Sequence, residues 1–377
     1  MRESRWQQFD FVIIACVLGL VLAGVAMIHS ATCLQPCTGL LPPSSYAVRQ
    51  GLSAAAGFAL LVGISLVDYR LYKAYAFHLY GFAIALLVLV LIIGQGGADA
   101  DYGSKRWINL GAFDLQASEV AKLAVLIVLA RVLGEKSEGS LSFRRLMASL
   151  ALVLVPVGLV FIEPDLGTSL SFLMIWATLA LVAGIQWRHA ALLLVSGVVV
   201  SPLVWLGMKD YMRERLVTFM GTLFDLEHAA FDEGYNVLQA RISIGSGGLF
   251  GRGYLEGTQS QLGFLRITQS DFIFSAAAEE LGFIGAAVLF CLFVMLLFRL
   301  TRAADMSRDD FGRLLTFGVA AMILFAAVAN LGANLTLLPV TGIPLPFISY
   351  GRTSLLTTMA ALGIVQSVLL YRLKYRY

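Results

Sequence analysis

The sequence predicts an all-α integral membrane protein: ten transmembrane helices, with one long extracytoplasmic loop between the seventh and the eighth. Three observations carry this. Hydrophobic types make up 59% of the 377 residues and charged types only 14%, with a mean hydropathy of +0.82. A soluble domain carries about 25% charged residues and would lack the polar side chains to cover its surface. The apolar residues come in continuous runs of about twenty, the length of a helix across a bilayer, and not in the alternating ten-residue segments of a membrane β-barrel. Finally, the basic residues are sorted by side. The same composition excludes intrinsic disorder, and a net charge of +3 excludes a strongly basic nucleic-acid binder.

The spans follow in order. The first, 10–29, is trailed by Pro36, Pro42 and Pro43 and lacks a small-residue cleavage site, so it reads as a retained helix and not a signal peptide. The runs 50–67 and 75–94 flank Arg70 and Lys73. The fourth, 117–134, carries Lys122, the one cation in a span that is assigned to neither side. The fifth and sixth, 146–162 and 166–185, are joined by a tight Glu163-Pro164-Asp165 turn. The seventh is 190–207, and the eighth, 272–298, begins beside Asp271. The ninth and tenth, 314–335 and 353–370, enclose a proline-rich stretch. An even number of spans puts both termini on one side. That side holds sixteen basic residues, Arg131, Arg145, Arg299 and Arg313 among them, against Arg49, Lys105, Arg106 and Arg352 in the short opposite loops. By the positive-inside rule both termini are cytoplasmic and the loop 208–270 is extracytoplasmic. With no internal repeat and no P-loop, residues 1–377 read as one polytopic domain without nucleotide chemistry.

Cys16 and Cys291 lie in apolar runs. Cys33 and Cys37 form a C-x3-C in the first outer loop, where a disulfide and two unpaired thiols are both open. The chain has only four His, so a metal site is not expected there.

Five constellations remain, most of their polar residues at outer span ends, where ionisable groups call for a function. In the first, Arg106-Trp107-Ile108-Asn109-Leu110-Gly111 leads to Gln116, Ser118, Glu119 and Lys122. Ser118 can cap the fourth helix. Glu119 and Lys122 share a helix face and can pair, either to fix packing or to anchor a polar ligand. In the second, Glu163 to Ser169, Asp165 is a helix cap or a carboxylate facing the same cavity as Lys122. In the third, Lys209 to Leu226 suits an amphipathic helix on the membrane. Gly245 to Tyr254 then gives either a flexible turn or amides that approach an anion. In the fourth, Asp271 stands before Phe272-Ile273-Phe274. A carboxylate at an apolar boundary loses hydration, which favours proton uptake and suits a general base; a helix cap is the alternative. Glu279 and Glu280, roughly 12–14 Å deeper by helix rise, suit packing hydrogen bonds. The fifth comprises Asn330, Gly332, Asn334 and the stretch Leu338 to Gly351, whose prolines and glycines suit a re-entrant or capping loop beside a cavity.

Together these segments resemble the SEDS family, named for shape, elongation, division and sporulation. The matches are Arg106-Trp107-Ile108, Ser118-Glu119 with Lys122, Pro164 to Ser169, Gly245 to Gly251, Asp271 to Phe274 with Glu279 to Gly282, and Leu338 to Gly351. Gly257 to Leu262 and Thr341 to Phe347 look more like the elongation members than the division members. The resemblance implies a ten-helix peptidoglycan glycosyltransferase that polymerises lipid II for cell elongation at the outer face of the bacterial cytoplasmic membrane, among its lipids, beside a class B penicillin-binding protein. It implies Asp271 as the essential aspartate. Substrate contacts are expected at Arg106, Trp107, Glu119, Lys122, Asp165, Arg213, Arg215, Gln259 and Ser349. Three positions depart from the family pattern: Ala117 replaces Pro, Leu265 to Ser270 lacks the usual Pro and His-Thr, and Arg352 replaces Gly. Arg266 and Arg352 are expected to add charge toward pyrophosphate.

The chemistry needs a base for the acceptor hydroxyl and positive charge for the departing pyrophosphate, and no nucleophile. Asp271 suits the base. Arg106, Lys122, Arg213, Arg215 or a divalent cation, Mg2+ or Mn2+, suits the charge. No nucleotide is expected. The rival classes are a transporter that flips the lipid-linked precursor, and a scaffold that positions a partner enzyme.

Overall fold

A computed structural model describes residues 8–33, 45–96, 106–109, 111, 114–135, 141–224, 233–265 and 267–372. Cys37, Lys105 and Arg266, with the terminal-side Arg2, Arg5, Lys136, Lys374 and Arg376, lie outside the described residues. Each predicted run coincides with a helix: α1 (Phe11–Thr32), α2 (Tyr46–Ser65), α3 (Tyr69–Ile93), α4 (Ala117–Leu133), α5 (Phe143–Ile162), α6 (Leu166–Val182), α7 (Trp187–Gly207), α11 (Ile273–Asp305), α12 (Asp310–Asn334) and α13 (Arg352–Leu370). Eight of these are long and apolar enough to cross a membrane. The other two, α4 and α6, have 17 residues each. The chain is a multi-pass helical membrane protein.

Start signals in the sequence place many of the helices. Asp10, Ser45, Asp68, Ser142, Asp165 and Asp309 each accept a backbone N–H of the following turn. The expected cap of α4 is corrected. Its N-cap is Gln116, which makes no side-chain cap bond. Ser118 is buried inside the first turn. The chain reaches that turn from an antiparallel hairpin, β1 (Trp107–Asn109) and β2 (Asp114–Gln116), which fixes Gln116 in an extended conformation. The hairpin docks on the start of α13: Arg352 pairs with Asp114 at 3.2 Å, and Thr353 Oγ1 donates to the Asp114 carbonyl at 2.9 Å.

Burial orders the bundle. α4, α12 and α13 are its interior. The outer faces of the surrounding helices expose Phe82, Ile92, Phe283 and Phe290, as lipid-facing surfaces do. α7 has no buried residue. Asp10 fixes one end of the bundle, with Arg299 Nη2 at 2.6 Å and Gln366 Nε2 on its carbonyl at 2.8 Å. The polar constellations gather at the other end.

The stretch expected as a long loop is largely helical: α8 (Asp210–Phe224), α9 (Glu233–Ser246) and the short α10 (Thr258–Gln261). α8 matches the amphipathic helix read there. The eighth span is also not one regular helix. Gly282 breaks α11, at φ 67° and ψ −170°, and the glycine-rich segment fills the gap. Phe283 N donates to the Gly248 carbonyl at 2.8 Å, and Arg252 N to the Glu279 carbonyl at 2.9 Å. Within the segment, the Gly251, Arg252 and Gly253 amides are spent on the Gly247, Glu279 and Glu280 carbonyls.

A Cβ at Gly282 would stand 2.2 Å from the Gly251 nitrogen, at a φ that side chains resist. Gly282→Ala is expected to cost on the order of 3 kcal/mol, read as a lower melting temperature and a smaller monodisperse fraction in detergent.

Candidate active site

Asp271 lies just before α11, whose N-cap is Phe272, with no side-chain cap bond and no acid in its first turn. The helix-cap reading of Asp271 is therefore set aside. Asp271 lines a cavity of about 180 Å³, walled by α8 through Tyr211, Arg215, Thr218, Phe219 and Thr222, by α9 through Asn236 and Val237, and by Leu338-Pro339-Val340. The backbone around the carboxylate is tethered. Asn330 and Asn334 donate to its carbonyl at 3.1 and 2.8 Å. Ser349 Oγ donates to the Ser270 carbonyl, and Tyr350 N to the Gln269 carbonyl at 2.8 Å.

Among the described residues, Arg215 is the cation on that cavity. Its guanidinium stands 4.3 Å from the Tyr211 ring centre, and Nη1 donates to the Val340 carbonyl at 3.3 Å. Tyr211, Arg215, Pro339 and Val340 also line a smaller neighbouring cavity, which adds Arg106, Asp165 and Thr341. Arg106 there grips the α5–α6 turn, through the Glu163 carbonyl at 3.1 Å, the Pro164 carbonyl, and Asp165 Oδ2 at 4.0 Å. Asp165 caps α6, taking Thr168 N at 3.0 Å and Thr168 Oγ1 at 2.9 Å. Both residues thus brace the turn at the cavity edge.

The other expected contacts lie elsewhere. Glu119 and Lys122 form a buried pair at 2.8 Å inside α4 and line neither cavity. Trp107 is half-buried in β1, bonded through its backbone to Gln95. Arg213 clamps the end of α7, donating to the Trp205 and Leu206 carbonyls at 3.1 and 2.8 Å. Gln259 N donates to Glu279 Oε1 at 2.9 Å. Ser349 is buried and also accepts Leu345 N at 2.8 Å. Arg352 serves the hairpin. Glu279 and Glu280 are wholly buried. Glu279 accepts Ser243 Oγ at 2.9 Å and Thr258 Oγ1 at 3.0 Å. Glu280 takes Ser30 Oγ and Leu255 N. The long segment is thus pinned onto α11.

Sequence reasoning missed Tyr211, Thr218, Thr222 and Asn236 as cavity walls. Their helical spacing on α8 and the polar Asn on α9 were the signal available. It also missed Glu163 as more than a turn residue. Burial pushes the Glu163 carboxyl up to about 8, with Asp165 adding to the shift and Arg106 opposing it.

The fold and the site define a multi-pass helical membrane protein with a polar cavity at one end of its bundle, set between an aspartate and an arginine. The chain belongs to the FtsW, RodA and SpoVE family, whose model, described as "Cell cycle protein", matches residues 10–374. It is 36% identical over 319 residues to the peptidoglycan glycosyltransferase MrdB of Escherichia coli K12, covering 84% of each chain. It is 34% identical over 370 residues to the probable peptidoglycan glycosyltransferase FtsW of Geobacter metallireducens, covering 96% of this chain and 95% of that one. Among solved structures, a chain of a peptidoglycan synthase complex that coordinates polymerization and crosslinking superposes with a TM-score of 0.81 at 30% identity, covering 98% and 99%. The rod-shape-determining protein RodA of Thermus thermophilus superposes with a TM-score of 0.72 at 30% identity, covering 98% and 100%.

The raised Glu163 pKa has a consequence for stability. The folded state holds this proton where the unfolded chain releases it, so stability falls as pH rises from about 4.5 through about 8. Glu163→Gln is expected to remove on the order of 3 kcal/mol of that loss. The wild-type melting temperature should drop more than the variant's between about pH 5 and about pH 9.

Proposed function

We propose that this chain is a peptidoglycan glycosyltransferase that polymerises lipid II at the outer face of the cytoplasmic membrane, in the elongation of the cell. The observation that carries the reading is one cavity walled by Asp271, which caps no helix, and by Arg215. The family, the relatives' names and the elongation-type motifs support it. The ten helices are ten spans. α4 and α6, at about 26 Å of helix each, lie at the short end of a bilayer crossing. Both termini are cytoplasmic, and α8 to α10 lie outside. Cys33 is disulfide-bonded, which fits the oxidising side for the first connection.

In this reading the acceptor sugar hydroxyl points at Asp271. The carboxylate takes its proton as the oxygen attacks the donor's anomeric carbon from the face opposite the pyrophosphate. The bond to the lipid pyrophosphate breaks with inversion, and undecaprenyl pyrophosphate leaves carrying the electron pair. Arg215 opposes the charge that develops there. Among the described residues no three acidic, His or Cys side chains converge. Mg2+ or Mn2+ therefore fits as an ion held by one or two carboxylates, Asp271 or Asp165, together with the substrate's phosphates, where it would offset charge. The partner is a class B penicillin-binding protein, in line with the neighbour from a synthase complex.

The test uses the complex with that partner and labelled lipid II. Asp271→Asn is expected to lower polymerisation by about 100-fold or more while melting temperature and partner binding hold. Near-normal chain growth would remove Asp271 as base. Lipid translocation by the wild type without polymer would favour a transporter. Arg215→Gln is expected to lower kcat/KM by about 10- to 100-fold, and Arg213→Gln far less, because Arg213 is committed to the end of α7.

A further inference from the structure

The Asp271 carbonyl and the Ser275 N–H are four residues apart, the acceptor and donor of one α-helical hydrogen bond. They do not meet. The carboxamide of Asn334, from α12, lies between them. Its Nδ2 donates to the Asp271 carbonyl at 2.8 Å, and its Oδ1 accepts the Ser275 N–H at 3.1 Å and the Ser275 Oγ at 2.6 Å. The carboxamide offers each group what the other would have offered. Asn330, one turn back on the same face of α12, gives the same carbonyl a second N–H at 3.1 Å and gives the Ile343 carbonyl another at 3.0 Å. Asn334 spends its remaining N–H on the Asn330 carbonyl at 2.9 Å. Both asparagines are buried, Asn334 wholly so. The Ser275 N–H also reaches the Phe272 carbonyl at 3.1 Å, the tighter pattern of a helix end. α11 therefore stops at Ile273 because a side chain from the neighbouring helix occupies its next hydrogen bond.

We propose that Asn334 is a positioning residue for glycosyl transfer: by splitting the Asp271–Ser275 hydrogen bond it holds Asp271 out of α11 and on the cavity wall. The inference rests on the reading of Asp271 as the base. Without the carboxamide, the Ser275 N–H and one lone pair of the Asp271 carbonyl lose partners in a buried setting, where an unmatched polar group is costly. The nearest repair is for the two to bond each other. That lengthens α11 by one residue and makes Asp271 its N-cap, whose carboxylate turns back to the first-turn N–H groups and away from the acceptor.

The experiment compares Asn334→Ala, Asn334→Leu and Asp271→Asn in the complex with the partner, using labelled lipid II. Asn334→Leu keeps the side-chain volume but loses both the acceptor for Ser275 and the donor to Asp271 without burying a charge, so it carries the test if the alanine variant fails to fold. The expected result is a fall in kcat of about 100-fold for either Asn334 variant, the scale of a small misplacement of a catalytic group. KM, melting temperature and partner binding should stay near wild type, and a structure of the variant should show Asp271 as the N-cap of α11. Wild-type kcat, a rise in KM alone, or a fall in kcat that merely tracks loss of folded complex would each overturn the proposal. If Asp271→Asn polymerises near normally, the base reading fails. If that variant is inactive while the Asn334 variants are not, this inference fails alone.

Discussion

Every backbone N–H and C=O inside an apolar slab must find a partner in the protein, and α11 meets that demand in an unusual way. The helix breaks at Gly282, which frees peptide groups that lipid cannot satisfy. The glycine-rich segment supplies the partners by running its own backbone against the gap, and only Gly247, Gly251 and Gly282 permit that approach. Two carboxylates beside the break raise the stakes. Glu279 and Glu280 are buried on α11, and hydroxyls and amides from residues 243 to 260 surround Glu279. A buried charge without such donors would cost several kcal/mol. The long segment is therefore held where it is by the needs of α11. α9 comes with it, bringing Asn236 and Val237 to the wall opposite Asp271.

The same accounting separates cations that look equivalent in the sequence. Arg106 directs its guanidinium to the main chain of the α5–α6 turn and to Asp165, and Arg213 directs its own to the end of α7. Arg352 holds the hairpin, and Lys122 is closed into an ion pair within α4. Among the described residues, Arg215 is the one placed on the cavity that Asp271 lines, propped between the Tyr211 ring and the Val340 carbonyl. Removing any of the others would leave carbonyls or a carboxylate short of a donor, a structural loss. Removing Arg215 takes positive charge from the cavity itself.

The helices were legible because the hydrophobic signal of a bilayer is long and continuous, and capping residues such as Asp10, Ser142 and Asp309 stand where the helices start. What was illegible came from tertiary contacts. Two three-residue strands are too short for alternation to show, and the hairpin exists because α13 presents Arg352 and Thr353 to Asp114. That hairpin is also why Gln116, and not Ser118, starts α4. The break in α11 follows Glu279 and Glu280 inside a helix whose later residues alone are apolar enough to read as a span, so hydropathy passes over it. Asp271 stood out in the sequence as either a cap or a base. Its relation to α11 depends on where that helix begins, and Asn334, sixty-three positions away, bonds its carbonyl there.

The two sides of the cavity hang on different supports. Asp271 is referred through Asn330 and Asn334 to α12, which lies in the bundle interior between α4, α6 and α11. Arg215 is referred to α8, which follows α7, the helix with no buried residue. Its tie to the interior is the bond to the Val340 carbonyl in the proline-rich stretch. That stretch is anchored in turn by Ile343 on Asn330, by Ser349 on Ser270, and by the close fit of Gly167 against the Thr341 carbonyl. The segment between α12 and α13 thus links both supports. It holds Asp271 from behind while giving Arg215 a reference point. Prolines suit that task, since their fixed φ stiffens a chain that has no helical hydrogen bonds of its own. A displacement of α7 and α8 would pull Arg215 against its bond to Val340 and leave Asp271 on α12, so the spacing between the two side chains depends on both supports.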